Sequence, residues 1–173
     1  NTNVNDMEKL FKLTPHVLAA VNSQVDASKA TAMGVIGSFE AFQRCFPNDL
    51  PNGVLVHGCG SVGSIVASEL VKKGIKTFVV DLDIGRTKIP GTISLGNNKR
   101  WYKNKFDVIF PCSISGLINT EISQHILNSK AIISAANAPF SNNVISEKLM
   151  KSNIMIIPDP LVNAGAVIAD SIE

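Results

Sequence analysis

Residues 54–63 read Val54-Leu55-Val56-His57-Gly58-Cys59-Gly60-Ser61-Val62-Gly63, an apolar run followed by glycines in the spacing G-x-G-x-x-G. The β-branched run predicts a buried strand that stops at the first glycine. The three glycines permit, in order, a tight turn, a close approach of the backbone to a diphosphate, and close packing of a helix on the strand. A diphosphate would then meet the N–H groups that open that helix. The stretch predicts dinucleotide binding through Gly58, Gly60, Ser61, Val62 and Gly63.

The residues that follow the glycine turn complete a βαβ unit. Residues 61–73 carry apolar side chains at helical spacing and end in two lysines before Gly74, which is typical of a helix C-terminus. Residues 76–81 then predict a second strand. The alternative is a glycine-rich turn that serves packing alone. The strand before the motif, the helix after it and the acid at the end of the next strand favour dinucleotide binding.

Asp81 closes the second predicted strand, about 20 residues after the first glycine. A carboxylate at this point accepts hydrogen bonds from the adenosine ribose hydroxyls and repels a 2′-phosphate. Asp81 therefore predicts NAD rather than NADP as the cofactor. Arg86 lies close in sequence and could hold a 2′-phosphate, so some use of NADP stays open. Asp83 is interpreted as a solvated loop acid.

Strands and helices alternate through the rest of the chain. The pattern predicts a long helix over 31–46 before the motif and a short edge strand over 92–94. After these it predicts strands over 107–110, 131–134 and 154–157, and helices over 119–127, 142–151 and from Asn163 onward. The predicted fold class is α/β: a Rossmann-type, doubly wound, mostly parallel sheet with helices on both faces, formed by residues 1–173 as one domain.

Composition excludes several classes of protein. The 173 residues are 45% hydrophobic and 17% charged, as in a globular domain. The net charge of +2 comes from scattered residues, so nucleic acid and membrane surfaces are not expected as partners. The apolar stretches are too short to span a membrane. The cysteines have no disulfide or metal-ligand spacing, so no metal and a cytoplasmic location are expected.

Other reactive side chains are assigned structural roles. Cys112 would need a neighbouring base and a lowered pKa to act as a nucleophile, and packing at a strand end is preferred. His57 could be a proton shuttle, but its place before the glycine turn favours a side chain enclosed beside the cofactor or the sheet. His16 and His125 have no partner that the sequence indicates. Cys45 is expected in the core with the Phe39, Phe42 and Phe46 stripe.

Several separated stretches together resemble one family, the glutamate, leucine, phenylalanine and valine dehydrogenases, in their C-terminal cofactor domain. The resemblance covers nearly the whole chain, and the order and spacing of its motifs are specific. Short loops make the branch that acts on branched-chain or aromatic amino acids the better fit. Besides the glycine turn and Asp81, the stretches are Thr31-Ala32-Met33-Gly34-Val35, Pro111-Cys112-Ser113, Ile118-Asn119, Ala135-Ala136-Asn137-Ala138-Pro139 and residues 158–168.

The resemblance implies roles on the nicotinamide side of the cofactor. Thr31 and Asn163 look like the family's contacts to the carboxamide, and Ala136 and Asn137 like its contacts near the nicotinamide ribose. A hydroxyl and an amide can hold a carboxamide in one plane and so present one face of the ring. The alternative for Thr31, and also for Asn163, is a helix N-cap, and it is compatible with cofactor contact.

The resemblance implies further positions as well. Cys112 and Ser113 are expected at the cofactor, while Val167 and Asp170 are expected to line the pocket for the substrate side chain. Two departures from the leucine-type pattern occur: Ala138 replaces an Asn, and Ala166 replaces the usual second glycine after Gly165. The second departure adds a methyl group near the substrate, so it bears on substrate identity more than on cofactor binding.

The family's reaction is the reversible oxidative deamination of an L-amino acid with NAD. Its catalytic lysines and aspartate come from a glycine-rich N-terminal domain, and no segment here matches that domain. We therefore expect a piece of a longer, homo-oligomeric enzyme that binds NAD, contains no catalytic residue and is inactive alone.

Two other functions compete with this one. A non-catalytic NAD sensor would need only the adenosine and diphosphate contacts, which would leave Thr31, Asn137 and Asn163 free to vary. A hydroxy-acid dehydrogenase should show a catalytic His and Arg pair, and the sequence offers no convincing pair.

Overall fold

The computed structural model describes residues 4–14, 26–47 and 51–172, so the remark on His16 falls outside the described residues. The side chain of Asp170 is also outside the description. The helices are α1 Val4–Phe11, α2 Ala27–Cys45, α3 Ser61–Lys72, α4 Thr120–His125, α5 Asn143–Lys151, α6 Asp159–Val162 and α7 Gly165–Ile172. The strands are β1 Val54–His57, β2 Thr77–Val80, β3 Ile93–Ser94, β4 Val108–Pro111, β5 Ala131–Ile133 and β6 Met155–Ile157.

The strands form one parallel sheet in the order β3-β2-β1-β4-β5-β6. This is the order of a doubly wound dinucleotide-binding fold, and it confirms the predicted fold class. β1 lies between β2 and β4. From β1 the chain builds one half of the sheet through β2 and β3, and it then returns to the other side of β1 to build the second half through β4, β5 and β6. A crevice forms at the carboxyl ends of the strands at such a reversal, and the glycine turn follows β1 there.

Alternate residues of the strands pack into two hydrophobic clusters, one on each face of the sheet. Val54 and Val56 pack with α2 and α3 on one face of the sheet. Leu55 belongs to the other cluster, which contains Trp101 together with buried residues of α4 and α5. Residues pointing to both faces are buried because helices cover both, which explains why the strands read as continuous apolar runs. Among the described helices, none combines the length and hydrophobicity that a membrane span requires.

α2 starts earlier than the sequence predicted. Asp26 is its N-cap and accepts hydrogen bonds from the N–H groups of Ser28 and Lys29 at 2.9 and 3.1 Å. Thr31 therefore lies inside the helix, and its interpretation as an N-cap was wrong. Local capping by an aspartate outweighed the apolar periodicity that placed the start later.

The C-terminal end of α2 also corrects the sequence interpretation. Phe39 and Phe42 are buried, whereas Cys45 and Phe46 are exposed. Phe46 is the C-cap and packs its ring on Phe42 with 5.3 Å between centroids. The apolar side chains of α2 are therefore buried only as far as Phe42, about one turn before the helix ends.

The helix predicted from Asn163 onward starts two residues later, as α7, and a separate short helix, α6, precedes Asn163. α6 begins after Pro158, with Pro160 in its first turn, where proline favours a helix start. Asn163 is the C-cap of α6, and α7 begins at Gly165. The interpretation of Asn163 as the N-cap of the last helix was therefore wrong.

Two glycines allow α2 to approach the α6–α7 segment closely. A Cβ atom on Gly34 would collide with the carbonyl oxygen of Val162, and one on Gly165 would collide with that of Ala30. The Cβ on Gly165 would also be 3.1 Å from the backbone nitrogen of Thr31. This packing brings Thr31, from a helix before the sheet, against the segment that holds Asn163.

Gly34 and Gly37 of α2 provide a matched pair of substitutions. A Cβ on Gly37 meets nothing within 4 Å. Gly37→Ala should raise the free energy of unfolding in urea by about 0.5–1 kcal/mol, because alanine is the better helix former. Gly34→Ala should lower it by about 1–3 kcal/mol through overpacking against Val162. Equal effects of the two substitutions would contradict the close packing.

Candidate functional site

The glycine turn sits at the crevice, and two of its glycines are required by packing. Gly58 has φ +94, and a Cβ on it would lie 2.6 Å from the Cβ of Ser113 at the end of β4. A Cβ on Gly63 would collide with the carbonyl oxygen of Gly58. A Cβ on Gly60 would meet no protein atom within 4 Å. The second glycine therefore borders open space, as the spacing predicts for the position that a diphosphate approaches.

The N-terminus of α3 faces this space. Gly60 is the N-cap, and no side chain caps the helix. The first N–H groups of a helix have no partner within it, so those of Ser61 and Val62 are available to an anion. They border a cleft of about 570 Å³ that also contains Arg86 and Cys112.

Asp81 fastens the glycine turn to the end of β2. Its Oδ2 accepts the N–H of Cys59 at 2.6 Å, and its Oδ1 accepts the N–H of Asp83 at 2.9 Å. The carboxylate is thus held in one orientation beside a second cleft of about 550 Å³, which adjoins the first and shares Arg86 with it. Arg86 forms an exposed ion pair with Asp83 at 3.5 Å.

Two apolar residues of this second cleft escaped the sequence analysis. Leu82 is 81% exposed and Ile114 is 63% exposed, and both line the cleft beside Asp81. Large apolar side chains left open in a cleft are suited to contact a flat aromatic ring such as adenine. The sequence offered one signal for them, because each directly follows a polar residue near the end of a strand: Leu82 follows Asp81, and Ile114 follows Ser113.

The reactive side chains at the turn are not activated. Burial raises the pKa of Cys59 to about 11 and that of Cys112 to about 12, which suppresses both thiolates. Burial lowers the pKa of His57 to about 4, so the imidazole is neutral near pH 7. Nδ1 of His57 lies 2.8 Å from Oγ of Ser113. In the described part of the chain, no three His, Cys, Asp or Glu residues are grouped to hold a metal ion.

A second polar group lies at the carboxyl ends of β5 and β6. Nδ2 of Asn163 donates to Oδ1 of Asn137 at 2.7 Å and to the carbonyl of Ala135 at 3.2 Å. Ala138 has φ 45, and its N–H donates to Asp159 Oδ2 at 2.9 Å. The sharp turn at Ala138 therefore depends on a carboxylate from α6, and it holds Asn137 next to Asn163.

The end of β4 connects the two groups. The carbonyl of Pro111 accepts the N–H groups of Ala135 and Ala136 at 2.9 and 3.0 Å, one residue before Cys112. The structure thus brings the predicted residues of the nicotinamide side to the same edge of the sheet as the glycine turn. Val167 lies apart from them on α7 and is largely exposed.

Comparison with known proteins finds the same fold and related sequences. The crystal structure of L-tryptophan dehydrogenase from Nostoc punctiforme superposes with a TM-score of 0.75 at 21% identity, covering 97% of this chain and 57% of that chain. Phenylalanine dehydrogenase of Bacillus thermotolerans is 31% identical over 83% of this chain and 40% of its own length. Leucine dehydrogenase of Thermoactinomyces intermedius is 28% identical over 96% of this chain and 48% of its own length.

The sequence model of the Glutamate/Leucine/Phenylalanine/Valine dehydrogenase family matches residues 85–173. The fold and site define a dinucleotide-binding type of domain, and this match, which covers about half of the chain, makes the assignment more specific. The chain belongs to the glutamate, leucine, phenylalanine and valine dehydrogenase family, which confirms the resemblance. It spans less than half the length of the two curated relatives described above.

Proposed function

We propose that this chain is the NAD-binding domain of an NAD-dependent L-amino-acid dehydrogenase. The observation that carries the proposal is the orientation of Asp81, which is held by two backbone N–H groups at the mouth of the crevice. The reaction is the reversible oxidative deamination of an amino acid to a 2-oxo acid and ammonia. The nicotinamide ring, when bound, supplies the hydride acceptor for this oxidation.

The described residues fit each part of the dinucleotide. Asp81 accepts the ribose hydroxyls of the adenosine half, with Leu82 and Ile114 against the adenine. The diphosphate lies over Gly60, where a Cβ would intrude into open space, and accepts the N–H groups that open α3. Cys112 and Ser113 form the wall of this part of the site at the end of β4.

The nicotinamide half extends toward Asn137 and Asn163, with Thr31 from α2 and the Ala136 backbone beside it. Both hydrogens of Asn163 Nδ2 are directed at protein oxygens. Its Oδ1 is therefore the atom offered to the NH₂ group of the carboxamide. Fixing the carboxamide in one plane presents one face of the ring to the substrate and lowers the entropy cost of hydride transfer.

The groups that transfer protons come, in this proposal, from a further domain of the whole protein. The family's catalytic lysines and aspartate belong to its N-terminal domain, and the reactive side chains described at the glycine turn, His57, Cys59 and Cys112, are not activated. We propose that the whole protein is a cytoplasmic homo-oligomer. Its substrate has an aromatic or branched side chain, with Val167 and Asp170 contributing to the pocket.

The substitution Gly60→Ala should weaken NAD binding without changing the stability of the fold. The added methyl has room in the protein but occupies the approach to the diphosphate, so the affinity for NAD should fall about tenfold or more, equivalent to about 1.4 kcal/mol. The melting temperature should stay close to that of the unsubstituted chain. Isothermal titration calorimetry measures the affinity, with Gly37→Ala as the control that leaves it unchanged. An unaltered affinity in Gly60→Ala would refute diphosphate binding at the turn.

Asp81→Asn tests the choice of cofactor. The amide still accepts one backbone hydrogen bond but no longer repels a 2′-phosphate. The ratio of NAD to NADP affinity should fall by about tenfold or more, since like charges at close range cost several kcal/mol. Arg86→Ala in the same background shows whether that arginine then holds the phosphate. A native chain that prefers NADP would overturn the assignment of Asp81.

The reaction itself is tested on the full-length protein with a panel of L-amino acids and NAD. We expect NADH formation, followed by the absorbance of the reduced nicotinamide ring, with aromatic or branched-chain amino acids, and none with 2-hydroxy acids. The 173-residue chain alone should form none. Turnover confined to 2-hydroxy acids would contradict the proposed reaction.

A further inference from the structure

His57 occupies an unusual position at the end of the central strand. Its ring packs edge-to-face on Trp101 with 5.2 Å between centroids, on the α4–α5 side of the sheet. Its Nδ1 lies 2.8 Å from Ser113 Oγ, which connects the end of β1 to the second residue after β4. The imidazole therefore contacts both the apolar cluster that contains Trp101 and a hydroxyl group at the crevice.

Ser113 lies where the two clefts of the site meet. It borders both the cleft over Gly60 and Ser61 and the cleft beside Asp81. Its Cα and Cβ lie against Gly58, which has no side chain to displace them. The backbone and Cβ of Ser113 are thus held by packing against Gly58, and the orientation of the hydroxyl group is left to be fixed.

A neutral imidazole fixes that rotation. It carries one donor and one acceptor nitrogen, and Nδ1 engages the serine hydroxyl in either tautomer. The remaining hydrogen-bonding capacity of Oγ then points away from His57, toward the crevice. Without the imidazole the hydroxyl would rotate freely and would lose entropy each time a ligand bound.

We propose that His57 is a positioning residue that orients the Ser113 hydroxyl toward the adenosine and diphosphate half of the bound dinucleotide. The proposal rests on the function proposed above and assigns to the pair a part of the affinity for that half alone. In that proposed function the nicotinamide side contacts Asn137, in the loop that follows β5, and Asn163, the C-cap of α6.

His125 supplies a matched control for a merely structural role. Its ring packs on Tyr102 with 5.0 Å between centroids, and Tyr102 packs on Trp101, so His57 and His125 end the same row of aromatic rings. Its Nδ1 is also hydrogen-bonded, to the Glu121 carbonyl at 2.9 Å. It differs from His57 in not bordering either cleft.

The test measures the affinity of the 173-residue chain for NAD and for ADP-ribose, which lacks nicotinamide. His57→Leu and Ser113→Ala should each weaken both ligands about fivefold, the effect of one hydrogen bond. The double variant should be no weaker than either single one, because both remove the same interaction. His57→Asn, which keeps a polar atom at the position of Nδ1, should restore affinity to within about twofold. His125→Leu should leave it unchanged.

Trp101, the single tryptophan of the chain, provides a second readout beside His57. ADP-ribose should change its fluorescence in the native chain and in His57→Asn. Effects of His57→Leu and Ser113→Ala that multiply would overturn the positioning role. An unchanged affinity in Ser113→Ala would overturn it as well, even if His57→Leu failed to fold. Failure of the native chain to bind NAD would overturn the proposed function with it, whereas native binding with an inert Ser113 overturns this inference alone.

Discussion

The contact between Gly63 and the carbonyl oxygen of Gly58 is the constraint on which the site depends. It leaves no room for a side chain, so the first turn of α3 is pressed against the end of β1. This approach directs the uncapped N–H groups of α3 into the crevice and places the Cys59 N–H within 2.6 Å of Asp81. The uncapped N–H groups and the orientation of the carboxylate beside them thus depend on one backbone contact.

A second close approach builds the other half of the site. Gly34 and Gly165 let α2 lie directly on the α6–α7 segment, which brings Thr31 toward Asn163 although α2 precedes the sheet and α6 follows it. The carboxylate of Asp159 then holds the turn at Ala138. Both halves therefore use the same device, in which glycines permit backbone contact and a carboxylate fixes the neighbouring turn.

Much of the fold could be predicted because its signals are local. Apolar runs, helical stripes and the glycine spacing each lie within a dozen residues, and together they predicted the parallel, doubly wound sheet. The prediction failed where tertiary packing or capping decided the outcome. Asp26 starts α2 before its apolar stripe begins, and Pro158 and Pro160 start a short helix before Asn163.

The site was predicted less completely, for a related reason. Asp81 and the glycine turn belong to one motif, so the sequence could predict them together. Leu82 and Ile114 were missed because exposure of an apolar side chain is a property of the folded surface. The contact between His57 and Ser113 joins residues 56 positions apart, and no local pattern encodes it.

The most direct test of the account is an NMR titration of the ¹⁵N-labelled chain with NAD. We expect the largest amide shifts at residues 58–63, at Asp81 and at 112–114, with further shifts at 136–137 and Asn163. ADP-ribose should reproduce the first set and omit the second. Shifts concentrated on α5, or no shifts at saturating NAD, would contradict the claim that a dinucleotide lies across the carboxyl edge of this sheet.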